Sequence, residues 1–274
     1  MRRVNARLPC PICEKRDWCL LAEDGSRAIC ARVESDRRAG DAGWLHVLHA
    51  SWPPVRRRRP VTIKLHRSDF ASAAAIAAEF LDPDGPSSVA ELAAILGVSA
   101  ESLTRLRVGW NGWAWTFPMS DARGATIGIR LRRMNGAKLA VTGSSQGLFV
   151  PTGVDASGRL LVVEGPSDTA AALDLGFAAI GRPSCNGGAD LIRSFVTRAR
   201  CPDVVVFADG DGPGRSGAAT LAKQLAPFTR VRVAEPPHPH KDLREWLRAG
   251  ARAADVERAI EAAQRVRLTL RVQQ

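Results

Sequence analysis

Short apolar runs alternate with helix-forming stretches through the second half of the chain. The runs LLVVE (160–164), AAIG (178–181), DVVVFAD (203–209) and RVRVAE (230–235) predict strands, and Ala-rich or amphipathic segments between them predict helices. Strands and helices in alternation with short connections predict a parallel sheet covered on both faces. Ligands of such sheets lie at the carboxyl ends of the strands.

The middle of the chain has two other patterns. Residues 87–110 predict a helix, a turn and a helix, which we expect to pack in the core because the second helix offers few polar side chains that could read DNA. Polar and apolar residues then alternate around turns at 122–124 and 135–136, which predicts a small antiparallel sheet. We expect Trp110, Trp113 and Trp115 to be core residues of this sheet.

Four of the six cysteines lie within the first 30 residues. The segment WCLLAEDGSRAIC predicts a hairpin with Asp24-Gly25 at its turn, which places Cys19 opposite Cys30. Together with Cys10 and Cys13 of the CPIC motif, they supply the four ligands of a tetrahedral zinc site. A segment this short, with few large apolar residues, also needs a metal to fold. His46 is an alternative to Cys19, and His49 is a weaker one.

Positive charge is concentrated towards the N-terminus. The chain has a formal net charge of +11, and residues 1–67 hold 15 Lys and Arg against 7 Asp and Glu, a net of +8. This excess favours a polyanionic partner. Residues 51–68, with four consecutive arginines, are interpreted as a basic linker. A second basic cluster lies on the predicted antiparallel sheet and consists of Arg130, Arg132, Arg133 and Lys138. It suits a template backbone or an incoming triphosphate. The alternative is that these residues are solvated charges at a strand edge.

Carboxylates follow the predicted parallel strands. Glu164 ends the first strand, Asp209 and Asp211 end the third, and Asp242 follows the fourth. Acids gathered at one sheet edge repel one another unless a cation lies among them, and oxygen ligands suit Mg²⁺ or Mn²⁺. The sequence therefore predicts a divalent-metal site at this edge.

Three motifs in this region, EGPSD, ADGDGPGR and KDLREW, resemble the Toprim domain of bacterial and phage-type primases, type IA and II topoisomerases and a class of nucleases. With the cysteine-rich segment, the layout resembles a zinc-ribbon DNA primase of the phage or mobile-element kind without a fused helicase. The resemblance implies an α/β protein with a zinc ribbon at 1–50, the linker at 51–68, helices and a small antiparallel sheet at 69–158, and a Toprim domain with a C-terminal tail at 159–274.

The resemblance also implies roles for individual residues. Glu164 would be the acid at the reacting end, and Asp209 and Asp211 the main metal ligands. Asp242 would be an outer ligand and Asp168 a supporting carboxylate, although Asp168 also suits a helix N-cap. The basic residues of the antiparallel sheet, together with Lys241, would bind nucleic acid or nucleotide.

The implied activity is template-directed synthesis of short RNA primers on single-stranded DNA from ribonucleoside triphosphates. Structural Zn²⁺ and catalytic Mg²⁺ or Mn²⁺ would be the cofactors. A separate replicative helicase is expected because no G-x-x-x-x-G-K-[ST] loop occurs. A cytoplasmic location is expected because no apolar run reaches the roughly 18 residues of a membrane span. With no tyrosine in the chain, covalent topoisomerase chemistry is excluded. A metal-dependent nuclease and a non-catalytic DNA-binding accessory protein are the alternatives.

Overall fold

The structure is a computed structural model that describes residues 1–48, 69–82, 85 and 87–267. The chain forms two compact units, residues 1–62 and 63–274. The basic linker predicted at 51–68 lies outside the described residues, as does His49. Among the described residues, no helix combines the length and apolar character needed to cross a bilayer.

The first unit is a small antiparallel sheet. Its strands are β1 (Arg2–Arg3), β2 (Leu20–Leu21), β3 (Arg27–Cys30) and β4 (Trp44–Val47), in that order, with a 3₁₀ turn at Gly40–Ala42. The predicted hairpin forms: the Ala22 N–H donates to the Arg27 carbonyl at 2.8 Å, and Gly25 takes a φ of 74° in the turn. The buried hydrophobic core described for this unit contains three cysteines and only three other residues: Val4, Leu21 and Ala28. So few apolar side chains supply little burial energy.

The second unit begins with three helices and an antiparallel sheet. The helices are α1 (Phe70–Glu79), α2 (Val89–Leu96) and α3 (Ala100–Arg105), and the strands β5 (Gly109–Trp110), β6 (Ala114–Ser120), β7 (Thr126–Arg133) and β8 (Lys138–Ala140) follow in sequential order. Ser88 and Ser99 cap α2 and α3 by accepting backbone N–H groups. The leucines of this helix pair are buried, which agrees with the expected packing role, although Ile95 is exposed.

The three tryptophans of this sheet differ in environment. Trp115 is fully buried, and Trp110 packs edge-on against it with ring centroids 5.3 Å apart. Trp113 is 46% exposed, so the expectation that it is a core residue is wrong. It precedes β6 at the sheet margin, and the Arg133 guanidinium lies over its ring, 4.8 Å from the centroid.

A parallel sheet follows, as the alternating pattern predicts. The elements are β9 (Arg159–Glu164), α4 (Gly165–Asp174), β10 (Ala179–Arg182), α5 (Ala189–Ala199), β11 (Asp203–Phe207), α6 (Gly212–Leu225), β12 (Arg230–Ala234), α7 (Leu243–Arg248) and α8 (Ala253–Ala262). The strand order is β10-β9-β11-β12, with every pair parallel. Hydrophobic clusters lie on both faces of this sheet. The predicted α/β class, with a zinc-ribbon-like unit and a parallel sheet flanked by helices, is confirmed.

Two short bridges join the antiparallel sheet to the parallel one. Ser120 pairs with Leu148, and Phe149 pairs with Gly181 of β10. Gly181 allows Phe149 and α4 to pack closely against β10, because a Cβ there would lie 3.1 Å from the Phe149 Cβ and 2.3 Å from the Thr169 hydroxyl oxygen. The bridges bring β7 and β8 beside the carboxyl edge of the parallel strands.

The start of the C-terminal tail lies along β12. Arg265 bridges antiparallel to Arg232, and the Val266 N–H donates to the Val231 carbonyl at 2.9 Å. The tail therefore begins as a short edge extension of the sheet, where its main-chain groups meet those of β12.

An ion network closes the opposite, amino-terminal edge of the parallel sheet. The buried Asp203 carboxylate accepts from Arg159 Nε at 3.1 Å and from Arg232 Nη1 at 3.2 Å. Arg159 also pairs with Glu257 of α8. Two arginines therefore share one buried carboxylate.

We expect Asp203→Ala to lower the free energy of unfolding by about 3 kcal/mol, because removing one partner of a buried ion pair leaves the others uncompensated. Urea unfolding would measure this loss. Asp190→Ala is the matched control, since the Asp190 side chain is 86% exposed in its pair with Arg193. Equal stabilities of the two variants would contradict the prediction.

Candidate active site and zinc centre

Acidic residues meet at the carboxyl edge of the parallel sheet. Glu164 is the last residue of β9, Asp209 lies two residues beyond β11, and Asp242 is the N-cap of α7. The Gly210 N–H donates to the Lys241 carbonyl at 2.6 Å, which ties the loop of Asp209 to the segment that carries Asp242. These carboxylates come from three separate stretches of chain, and the parallel topology brings them together.

The acids line a cavity of about 340 Å³ that also receives basic side chains from the antiparallel sheet. Most of the residues expected to form the site line this cavity: Arg130, Arg132, Lys138, Glu164, Asp168, Asp209, Lys241 and Asp242. The cavity is therefore lined by acids and by a group of cations, here called the cationic wall, that come from the antiparallel sheet and from the segment around Asp242. Such a cavity suits a ligand that carries phosphates and binds a divalent cation.

The cationic wall contains two arginines, Arg132 and Arg244, whose charges repel each other. Burial lowers the pKa of Arg132, and the positive charge of Arg244 lowers it further. In the described part of the chain, Arg132 makes no side-chain hydrogen bond or ion pair. Arg130 differs, because its Nη2 donates to the Pro183 carbonyl at 3.3 Å. A half-buried, unpaired guanidinium beside a second one is unfavourable without an anion, so this wall is arranged for a polyanionic ligand.

Arg244 is a site residue that the sequence analysis missed. It lies in the first turn of α7, and its Nη2 is 3.8 Å from Asp242 Oδ2. Its Nη1 donates to the Leu96 carbonyl at 3.4 Å, which holds the side chain across the cavity. The KDLREW motif contained the signal, since Arg244 and Lys241 are both basic residues that flank Asp242.

Asp168 connects two helices of the site. Its side chain is buried, and its Oδ1 accepts the backbone N–H of Arg244 at 3.0 Å. The N-cap alternative is wrong, because Glu164 occupies the N-cap of α4 and Asp168 lies within its first turn. Burial raises the pKa of Asp168 to about 7, and Asp242 adds to the rise, while the hydrogen bond from Arg244 opposes it. Asp168 thus orients the start of α7, and with it Asp242.

Asp209 is repelled by several neighbouring carboxylates. Burial raises its pKa to about 6, and Glu164 and Asp242 raise it further by repulsion, whereas Lys241 opposes the rise. Mutual repulsion of this kind is relieved by a bound cation.

Two expected site residues do not line the cavity. Asp211 caps α6, where its Oδ1 accepts the Gly214 N–H at 2.8 Å, and this hydrogen bond lowers its pKa. Its other oxygen lies 3.4 Å from Lys241 Nζ. Arg133 lies over Trp113 instead. Asp211 therefore lies outside the cavity lining, although it contacts Lys241 and its charge helps to raise the pKa of Asp209.

The sequence analysis also missed Arg182. This residue ends β10 in register with Glu164 and is only 1% exposed. Its Nη1 donates to the Cys185 carbonyl at 2.6 Å. Burial lowers its pKa, while Glu164, Cys185 and Asp209 favour the charged form. A buried cation therefore balances part of the acidic charge. A basic residue at the end of the apolar run AAIGR was its only signal.

The cysteine sulfurs of the first unit lie close together. One sulfur atom from each of Cys10, Cys13, Cys19 and Cys30 lies within 4.8 Å of the other three. Cys19 Sγ is 3.7 Å from Cys13 Sγ and 3.9 Å from Cys30 Sγ. Two sulfurs bound to one tetrahedral zinc ion at about 2.3 Å would lie roughly 3.8 Å apart. The four cysteines therefore fit structural zinc.

Backbone groups support thiolates at this centre. The Ala31 N–H donates to Cys19 Sγ at 3.4 Å, and the Val33 N–H donates to Cys30 Sγ at 3.3 Å. His46 is not part of the cluster, because its Nε2 lies 3.0 Å from the Val33 carbonyl oxygen. The geometry thus favours Cys19 over His46 as the fourth ligand.

In the described residues, only these cysteines bring three or more candidate ligand atoms within 4.8 Å of one another. The carboxylates of the cavity are more widely spaced. Mg²⁺ tolerates such spacing because it is usually bound by one or two carboxylates together with waters and substrate phosphates.

No family model matches the sequence, and no curated protein matches it. Among solved structures, a DnaG primase catalytic domain bound to single-stranded DNA is similar to this chain, with 20% identity and a TM-score of 0.56 over 72% of this chain and 78% of that one. A DNA primase domain from Pseudomonas aeruginosa has 19% identity and a TM-score of 0.55 over 72% and 78%.

An Aquifex aeolicus primase with zinc-binding and RNA polymerase domains is also similar, with 14% identity and a TM-score of 0.56 over 74% of this chain and 63% of that one. At these identities the comparisons establish the fold. The chain therefore has the fold of a DnaG primase catalytic core, together with a four-cysteine cluster near its N-terminus.

Proposed function

We propose that this protein is a DNA primase that makes short RNA primers on single-stranded DNA by metal-dependent nucleotidyl transfer. The observation that carries the proposal is that acids of the parallel sheet and arginines of the antiparallel sheet line the same cavity. The fold of a primase catalytic core supports the same activity.

In this reaction a ribonucleotide 3′-hydroxyl attacks the α-phosphate of the next triphosphate. The new bond joins the 3′ oxygen to the α-phosphorus, the bond to the β-phosphate oxygen breaks, and pyrophosphate leaves as the hydroxyl proton departs. Arg132 and Arg244 would bind the triphosphate, and Glu164 would act at the reacting end. Arg130, Lys138 and Lys241 would hold the remaining phosphates of nucleotide or template, with Arg133 at the rim.

Magnesium or manganese, when bound, would activate the attacking oxygen and neutralise the leaving phosphates. Asp209 and Glu164 are the proposed ligands, with Asp242 as an outer ligand. Asp211 would contribute through Lys241, which it holds beside Asp209. Asp168 would keep α7 and Asp242 in place. This division follows from burial, since both residues line the cavity but the Asp168 side chain is buried whereas Asp209 is partly exposed.

The proposed activity also implies the partners of this protein. Single-stranded DNA and ribonucleoside triphosphates would be the substrates, and a separate replicative helicase would deliver the template in the cytoplasm. A solved neighbour is bound to single-stranded DNA, which supports the first of these assignments. The zinc unit would contribute to template choice.

We expect Asp209→Asn and Glu164→Gln to reduce primer synthesis by about 100-fold or more, the scale of losing a group that stabilises transition-state charge. Both changes preserve side-chain shape. Labelled ribonucleotides incorporated on a single-stranded template would measure the loss. Asp190→Asn, an exposed change of the same charge, should retain full activity. Near wild-type synthesis by Asp209→Asn would contradict its assignment as a metal ligand.

The same assay distinguishes the alternative functions. Short RNA products would indicate a primase, a shortened template would indicate a nuclease, and template retention without chemistry would indicate a binding protein. The cationic wall favours the first, since nucleotidyl transfer must bind a triphosphate as well as a strand.

The raised pKa of Asp209 predicts a pH-dependent stability. Ionised Asp209 destabilises the metal-free fold, and this penalty is fully present above a pH of about 6 and disappears as the pH falls towards 3.8. We therefore expect Asp209→Asn to raise the melting temperature at pH 8 and to have little effect near pH 4. Mg²⁺ should stabilise the wild-type protein at pH 8 more than the variant. Identical responses of the two proteins to pH and Mg²⁺ would contradict a cation site at Asp209.

The cysteine cluster predicts about one tightly bound zinc ion per chain. Cys19→Ser should lose zinc and unfold the first unit, because the hairpin has little other core. His46→Ala should keep zinc. Metal analysis and circular dichroism of both variants would measure this. A Cys19→Ser protein with a full zinc content would overturn the four-cysteine assignment.

A further inference from the structure

Trp18 is the most exposed large hydrophobic side chain among the described residues, with 72% of its surface accessible. It immediately precedes Cys19 of the zinc centre. Its φ is 63°, a left-handed conformation that is unfavourable for a bulky residue. An aromatic residue at this position adds backbone strain and buries almost no apolar surface, so the stability of the fold does not explain why a tryptophan is here.

Hydrogen bonds hold the backbone around Trp18 in place. The Cys19 N–H donates to the Asp17 carbonyl at 2.8 Å, which closes a tight three-residue turn with Trp18 at its centre. Arg32 Nη1 donates to the same carbonyl at 3.1 Å, and its Nη2 pairs with Asp17 Oδ1 at 2.8 Å. Because Cys19 belongs to the zinc centre, the indole is presented from a rigid base.

The charges around the indole indicate the partner. Lys15 and Arg16 are exposed on the same loop, and the charge of Asp17 is paired with Arg32. The charges of Glu14, Lys15, Arg16 and Asp17 sum to zero, and Arg32 brings the net charge around the indole to +1. An exposed aromatic ring beside cations is the arrangement by which proteins stack bases and hold the phosphates of single strands.

We infer that Trp18 is a base-stacking residue through which the zinc unit binds single-stranded nucleic acid. The inference deepens the proposed function, on which its choice of partner rests. Because the turn already fixes the position of the indole, a base that stacks on it loses little affinity to the ordering of the side chain. This gain in affinity offsets the backbone strain at Trp18 in the free protein. A protein that binds Trp18 is the alternative partner, and the affinities of Trp18 variants for a single strand distinguish it from nucleic acid.

The test compares Trp18→Phe, Trp18→Ala and Trp18→Gly in the full chain. Binding of a fluorescent single-stranded oligonucleotide would be followed by anisotropy across a salt series. We expect Phe to keep the affinity within about threefold and Ala and Gly to weaken it about tenfold, the effect of losing one base stack. The salt dependence should stay unchanged, because an indole makes no phosphate contact.

Stability separates this role from a structural one. Glycine adopts a φ of 63° without strain, so Trp18→Gly should melt no lower than the wild type while binding more weakly. Phe80→Ala is the matched control, since Phe80 is 64% exposed without a left-handed backbone. Zinc content would be measured for every variant, and if Trp18→Gly loses zinc, the Phe and Ala variants decide.

Affinities of Trp18→Ala and Trp18→Phe equal to that of Phe80→Ala would overturn the inference and leave a protein partner as the occupant. Primer synthesis is measured independently. A protein that binds single strands through Trp18 but makes no primers would overturn the proposed function and leave this inference intact.

Discussion

Electrostatic repulsion among buried carboxylates is the constraint on which the second unit depends. Parallel strands end at one edge, so acids that follow different strands are brought together there. Glu164 and Asp242 raise the pKa of Asp209, and Asp242 raises that of the enclosed Asp168. An edge of this kind persists only if cations balance it. The rest of the unit supplies them.

The balancing cations come from three parts of the chain. Arg182 lies buried in the parallel sheet itself, and Lys241 lies on the loop before α7. Arg132 arrives from the antiparallel sheet, which the bridges at Leu148 and Phe149 hold against β10. The positive charge of the cationic wall is thus larger than the acids neutralise. Arg132 is repelled by Arg244, and in the described residues the Arg132 side chain has no hydrogen bond or ion pair of its own. The excess is what a triphosphate or a nucleic-acid backbone would satisfy.

The first unit solves a different problem. It has too little apolar core to define a fold, and four cysteine sulfurs at zinc-compatible distances replace that core. A zinc ion held by these cysteines would also permit backbone strain that a small core would not support. Trp18 and Glu14 both take left-handed conformations in this unit, and the turn around Trp18 adjoins a ligand. Rigidity from a bound zinc ion would therefore offset the strain of an exposed aromatic side chain at this turn.

The sequence by itself determined the features that depend on local pattern. Strand periodicity, the Asp24-Gly25 turn and the position of acids after strands depend only on neighbouring residues. The sequence therefore predicted strands β9 to β12, the position of Cys19 opposite Cys30, and the placement of Glu164 and Asp209. Only the tertiary structure decided which side chains from distant segments share a cavity. Packing placed Arg244 in the cavity and buried Arg182 near the acids. Asp211 instead caps a helix, and Arg133 lies over the ring of Trp113. The physical reason is that periodicity specifies which face a residue occupies, while contact and charge balance depend on how separate elements pack against one another.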